Sequence, residues 1–232
     1  MPKTTIHEGE SLRTNRRSLR TAAVAVTAIA SLAGITQAQA SEAPGADDPA
    51  APTGTLQESI DEVLASTEGG TQISPYEISW EGGAVIMSFP RPGEAKAPTS
   101  SPTARKLQAK LAGKPQMGPL VAEWVAGDHE GCPTEVFGND WYCFYQYENY
   151  GGRRLQWNAT HEKPVYFSKY DFVNKTSSWV NGGGKTIVVY GRTRSGDDSS
   201  CTDYLWSESQ HMKNRYVGGV VDNRADCFTA KG

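Results

Sequence analysis

Histidine is scarce in this chain. There are four, and no His-Glu-x-x-His stands among them, which excludes the helical zinc-peptidase arrangement. No Gly-x-Ser-x-Gly elbow appears, so a hydrolase nucleophile of that type is absent. Triads assemble across a fold, yet no residue pattern here calls for one. Asp197-Asp198 lies in a Gly/Ser-rich turn and reads as solvated. Positive charge is not in excess: 23 Lys and Arg face 26 Asp and Glu, a net of −3. With no interleaving of basic and aromatic residues, a nucleic-acid partner is not expected. After Ala40 no apolar run approaches the length of a membrane span. Cysteine is limited to four, without the close pair that zinc sites show.

The N-terminus carries an export signature. Arg13, Arg16, Arg17 and Arg20 form a basic head before an uncharged stretch from Thr21 to Ala40. That stretch closes on Ala38-Gln39-Ala40, the small-x-small pattern of a signal-peptidase site. Residues 1–40 read as a secretory signal peptide, with Arg16-Arg17 a partial match to a twin-arginine signal. The expected mature chain is secreted, free of membrane, and carries 18 positive and 24 negative side chains. Its charge is uneven, with 6 against 13 over residues 41–131 and 12 against 11 over 132–232.

Residues 41–54, rich in Ala, Pro, Gly and Asp, read as a disordered linker. Residues 55–90 read as a helix and a β-hairpin. Thr55 and Glu58 have capping-box spacing, and Leu56, Ile60, Val63 and Leu64 share one helical face. Two apolar runs flank Gly82-Gly83, a two-residue hairpin turn, and Pro90 and Pro92 stop the second. One helix and one hairpin bury little alone, so this unit either docks on the rest or is partly ordered. It is either a pro-segment or an accessory subdomain. Residues 91–128 read as a linker with a short helical stretch around Ala104 to Ala112, and Arg105-Lys106 as an exposed cleavage site.

From residue 129 onward the pattern is all-β. Short aromatic and β-branched runs (Trp141 to Tyr147, Arg153 to Trp157, Val165 to Phe167, Ser178 to Val180, Thr186 to Tyr190) alternate with turn residues, as in a sandwich or barrel. Cys132, Cys143, Cys201 and Cys227 all fall here, and an exported chain with an even count reads as two disulfides. Three pairings can be drawn; Cys132–Cys143 with Cys201–Cys227 is favoured because each closes a local unit.

Within this region, Tyr145, Tyr150 and Gly152 give an aromatic, four residues, a second aromatic, one residue, then Gly. Asn174 to Trp179 follows about twenty-five residues later, with adjacent Ser177 and Ser178. Together these resemble a βγ-crystallin Greek key motif. The resemblance implies that the two tyrosines pack face to edge, that Gly152 takes a positive φ, and that a serine hydroxyl, for which Ser177 is the candidate, bonds the folded hairpin. Asp222 to Cys227 stands where a second, degraded copy would place its Asn/Asp and Ser-Ser element, with Tyr190 heading its first strand.

More narrowly, Cys132-Pro133, Cys143-Phe144-Tyr145 and Tyr150-Gly151-Gly152-Arg153-Arg154 resemble the Streptomyces metalloproteinase inhibitor family. The expected fold is a βγ-crystallin-like Greek key sandwich over 129–232. The resemblance implies a secreted peptidase inhibitor directed at a metallopeptidase, acting by rigid loop insertion into the protease cleft, and not an enzyme. Its candidate contact is the loop Arg194 to Thr202, with Arg194, Ser200, Cys201 and Thr202, anchored by Cys201. The alternative is a non-inhibitory calcium-binding or surface-binding crystallin module, or a toxin-like crystallin protein. No cofactor is expected beyond weak or lost calcium binding at Asn174, Ser177, Asp222 and Asp226. Val173 stands where a first Asn/Asp belongs, and Asp226-Cys227 replaces a hydroxyl pair.

Overall fold

The computed structural model describes residues 55–111, 128–134, 141–158, 163–192 and 201–231. The expected signal peptide, the 41–54 linker, and Arg194 and Ser200 of the expected contact loop lie outside these residues. The elements, in chain order, are α1 (Leu56–Ser66), β1 (Thr71–Ser74), β2 (Glu77–Trp80), β3 (Val85–Ser88), α2 (Pro102–Leu111), β4 (Asp128–His129), β5 (Cys132–Pro133), β6 (Trp141–Tyr147), β7 (Gly151–Asn158), β8 (Val165–Tyr166), β9 (Ser178–Asn181), β10 (Thr186–Arg192), β11 (Cys201–Glu208), β12 (Met212–Asn214) and β13 (Cys227–Lys231).

Two antiparallel sheets form a Greek key sandwich. The larger runs β1-β2-β3-β7-β6-β9-β12 and the smaller β11-β10-β13-β8. Strands β6 to β9 are one four-strand motif and β10 to β13 another. Each lends its third strand to the other's sheet: β8 pairs with β13, and β12 pairs with β9. This exchange makes the two motifs one cooperative body.

The core between the sheets follows strand alternation. Along β6, Tyr142 and Phe144 face inward with Leu155, Trp157, Trp179, Ile187, Val189 and Phe228. Phe144 and Phe167 meet edge to face at 4.9 Å, and Phe144 lies 5.0 Å from Phe228. Trp141, Cys143 and Tyr145, which alternate with these, join Cys132, Tyr150 and Val180 in a second cluster on the outer face of the larger sheet.

The helix and hairpin of residues 55–90 belong to this same body. Strand β3 pairs with β7 from Val85↔Trp157 to Ser88↔Arg154, extending the Greek key sheet by three strands. Ile60, Val63, Ile78, Trp80, Val85, Met87 and Phe89 share the main core cluster. Trp80 packs edge to face on Tyr170 at 5.3 Å, and the Tyr170 hydroxyl donates to Glu81 at 2.8 Å. The α1 capping box is formed as its sequence requires: Glu58 N donates to Thr55 Oγ1 at 3.2 Å, and Thr55 N to the Glu58 carboxylate. The hairpin turn differs from the expected two residues. Glu81 joins Gly82 and Gly83 at positive φ, so four residues separate Trp80 from its partner Val85. The turn passes close against α2, where a Cβ at Gly83 would lie 2.6 Å from Leu107 Cβ, so that position is kept to glycine.

The expected 91–128 linker is structured in its first half. Lys96 bridges to Gly152, and α2 spans the stretch expected around 104–112. Ser100, Ser101, Ala104 and Gln108 are buried over the polar half of the larger sheet's outer face. Arg154 is fully buried there, donating to Gln156 Oε1 (3.1 Å), Ser88 Oγ (3.2 Å) and Ala97 O (3.3 Å). Glu77 accepts from Ser74 Oγ and Ser101 N, both at 2.9 Å. Arg105-Lys106 therefore sits inside a helix, with Arg105 Nε bonded to Ser100 O at 2.8 Å. Lys106 is exposed and Arg105 half-buried, but the dipeptide is helical and not in the extended form a protease cleaves.

Candidate functional site

Tyr145, Tyr150, Gly152 and Ser178 meet at the folded hairpin between β6 and β7. Tyr145 and Tyr150 pack edge to face with ring centroids 5.4 Å apart. Between them the chain turns through Asn149 and Tyr150, both at positive φ, and Gly152 has φ +70°. A Cβ at Gly152 would lie 2.8 Å from both Gln146 Cβ and Tyr147 Cδ2. Such a backbone is unfavourable for ordinary residues, so the surroundings must hold it.

Ser178 does most of that holding. Its Oγ donates to Tyr147 O at 2.7 Å and accepts from Tyr150 N at 3.1 Å, closing both arms of the hairpin. Ser177, the residue expected in this role, bonds only the near arm, through Oγ to Gln146 O at 3.1 Å. The two positions are neighbours in sequence. Ser178 is the one opposite Tyr145 in the ladder, and that places it under the fold. Trp179 faces the main core.

Charges brace the hairpin. Glu130 accepts from Lys96 at 3.1 Å and Lys213 at 3.0 Å, and both ammonium groups lie over the Tyr150 ring, at 5.4 and 5.5 Å. Burial opposes ionisation of Glu130, but the two lysine bonds outweigh it and hold the carboxyl below the ordinary range. The Tyr145 hydroxyl donates to Glu130 O at 3.0 Å. Thus the leader, the 128–134 segment, the hairpin and β12 meet at one point. Long-range pairs of this kind leave no local pattern in a sequence: nothing there marks Glu130, and Arg154 enters only as part of the Tyr150-to-Arg154 resemblance, with no role attached.

The second motif repeats the backbone frame. Ser177 N donates to Tyr145 O, and Asp226 N to Tyr190 O, each at 2.9 Å. Val217 N donates to Ser177 O, and Phe167 N to Asp226 O, again at 2.9 Å. The two Asn/Asp loops clasp reciprocally through Asn174 N to Ala225 O (2.9 Å) and Asn223 N to Thr176 O (3.3 Å). Asn174 and Asn223 both have positive φ, at 54° and 53°. Asn174, Ser177, Asp222 and Asp226 are thereby drawn into two facing loops. Among the described residues no group of three or more His, Cys, Asp or Glu side chains is placed to hold a metal ion.

The disulfides are Cys132–Cys143 and Cys201–Cys227. The first joins the 128–134 segment to β6. The second joins the start of β11 to the start of β13 across β10, at the base of the connection that holds Arg194 and Ser200. Cys201 is half-buried and Thr202 exposed, on the smaller sheet. The Tyr145–Gly152 hairpin belongs to the larger sheet, so these two sets of residues do not form one site.

Residues 128–202 match the family model of peptidase inhibitor family I36. No curated protein and no solved structure matches the chain. The I36 match takes in the whole first Greek key motif, strand β10 and the first two residues of β11. It therefore contains the Tyr145–Gly152 hairpin, Ser178 and the Cys132–Cys143 bond. Residues 203–231, with Cys227, complete the I36 region's fold from outside the matched span.

Proposed function

We propose that this protein is an exported inhibitor of a secreted metallopeptidase, acting as a binding protein and not as an enzyme. The I36 match over the first motif carries the reading. The basic head, apolar stretch and Ala38-Gln39-Ala40 site support export, as do two disulfides. The contact loop is Arg194 to Thr202, whose stems are Arg192 and Cys201, paired between β10 and β11. The Cys201–Cys227 bond ties one stem to β13. Anchoring a stem lowers the ordering cost of a loop entering a cleft, which favours tight binding.

A second reading, a calcium-binding crystallin module, draws on the reciprocal clasp of the 174–178 and 222–227 loops. Cys227 removes a hydroxyl from the second loop, and a disulfide sulfur is a poor ligand for a hard cation. That weakens the calcium reading.

Purified mature chain, residues 41–232, titrated against thermolysin and against subtilisin, tests the proposal. The expected result is loss of thermolysin activity at near-stoichiometric protein, with subtilisin unaffected. Full activity of both peptidases at a large excess of protein refutes it.

A further inference from the structure

Residues 94–97 lie on the first motif as a peptide lies on a receptor. Lys96 pairs in parallel with Gly152 at the start of β7. Gly152 N donates to Ala95 O at 2.8 Å, and the buried Arg154 donates through Nη1 to Ala97 O at 3.3 Å. Between these two carbonyls, the Lys96 ammonium pairs with Glu130 at 3.1 Å and sits 5.4 Å from the centre of the Tyr150 ring. Glu130, Tyr150, Gly152 and Arg154 all belong to the matched span 128–202, and the segment that fills the space between them comes from outside it.

The receiving side is held by bonds of its own. Cys132–Cys143 fixes the 128–134 segment, the Tyr145 hydroxyl donates to Glu130 O, and Ser178 ties both arms of the hairpin. Lys213 also pairs with Glu130, so this carboxylate has a second cation besides Lys96. The occupant is lightly held by comparison. Residues 91–96 are exposed and only Ala97 of this stretch is buried. The Lys96 side chain is 52% exposed, where an ion pair adds little to folding. Its flanks are anchored separately, Phe89 in the main core and Ser101 by its N–H on Glu77 Oε1. Displacing 94–97 therefore need not unseat β3 or α2.

We propose that Glu130, Tyr150, Gly152 and Arg154 form a peptide-docking groove. Residues 94–97 fill it in cis, and it accepts from a protein partner a strand with one lysine between small residues. The backbone bonds to Gly152 and Arg154 serve any strand, as in recognition by strand addition. Glu130 and the face of Tyr150 select the ammonium group. The buried Ala97 position limits the residue after the lysine to a small one. The tethered segment competes with the partner, so its release sets the affinity of the groove. This inference does not rest on the inhibitor reading.

The probe is an end-blocked, fluorescein-labelled peptide of residues 92–98, with binding read by fluorescence anisotropy. The receptors are the wild-type chain of residues 41–232 and a variant that carries Ala95→Gly, Lys96→Ser and Ala97→Gly. The variant should bind the peptide about tenfold more tightly than the wild type, because its own segment competes less. A peptide with Lys96→Glu should bind the variant about tenfold more weakly than the native peptide, and adding Glu130→Gln to the variant should bring a similar loss. If the triple variant does not melt cooperatively, Lys96→Ala replaces it, with a gain of about threefold expected. Equal binding of the two peptides, no gain over the wild type, or no loss with Glu130→Gln overturns the proposal. Each of these results leaves the inhibitor reading standing.

Discussion

Cys227 occupies in the second motif the place that Ser178 occupies in the first. Each lies opposite the tyrosine that heads its motif, Tyr190 for Cys227 and Tyr145 for Ser178. Ser178 ties its hairpin by two hydrogen bonds, while Cys227 reaches β11 through a covalent bond. The same structural demand, holding a returning chain against the sheet, is met by different chemistry. Ser178→Ala should cost about 1–3 kcal/mol, the range for leaving buried partners unsatisfied. Converting both Cys201 and Cys227 to Ala should cost about 2–4 kcal/mol. Denaturant titration of the two variants checks both values, and mass mapping of the unreduced protein should recover Cys132 with Cys143 and Cys201 with Cys227.

Gly152 and Gly151 differ in kind. Gly152 combines positive φ with a Cβ position 2.8 Å from Gln146 and Tyr147, whereas the nearest contact at Gly151 is 3.2 Å with an ordinary φ of −85°. Gly152→Val should therefore lower stability several times more than Gly151→Ala, with backbone strain alone adding about 1–2 kcal/mol. Equal melting temperatures for the two variants would contradict this account of the hairpin.

Residues 55–111 should be indispensable for folding. Without them β7 becomes a bare edge, and Trp157 and Tyr170 lose Trp80 and Val85 as neighbours. A chain of residues 129–232 should give a molten, dye-binding species with little near-ultraviolet dichroism, whereas residues 55–232 should melt cooperatively. A cooperative transition in the shorter chain would show that the leader is dispensable.

Local features were the legible ones. The α1 capping box, the Tyr145–Tyr150–Gly152 spacing and the alternation of β6 all act within a few residues, where period and turn chemistry operate directly. The pairing of β3 with β7 joins residues about seventy apart, and no periodicity encodes it. Ser177 and Ser178 could not be separated without the ladder register. Arg105-Lys106 reads as part of a linker from composition alone, because the polar groups of Arg154, Gln156 and Glu77 that seat α2 lie elsewhere in the chain. Hydroxyls and charges on an outer sheet face look like solvent-facing residues until a covering segment is known.

Glu208 gives a pH signature. It is fully buried, and burial lifts its carboxyl well above the ordinary value of 4.5, with the Trp206 indole bond acting weakly the other way. The folded protein holds a proton that the unfolded chain releases. Stability from this group is thus complete below the unfolded value and declines as pH rises towards the folded one. Glu208→Gln should melt a few degrees above wild type at pH 8 and near it at pH 4. A lower melting temperature for the variant at pH 8 would contradict the protonated assignment.

Calcium should have little effect. The 174–178 and 222–227 loops each lack a member of a full oxygen set, and the ion must keep waters that a complete site displaces. Millimolar calcium should raise the melting temperature of residues 55–232 by no more than about two degrees. A larger shift, reversed by a chelator, would favour the calcium-module reading.

The central claim is that this sandwich binds and silences a peptidase. Size-exclusion chromatography of thermolysin mixed with residues 55–232 tests it most directly. The account predicts one peak containing both intact chains in equal amounts, with peptidase activity absent from it. Separate elution of fully active thermolysin, with the chain free or cut into fragments, would contradict it.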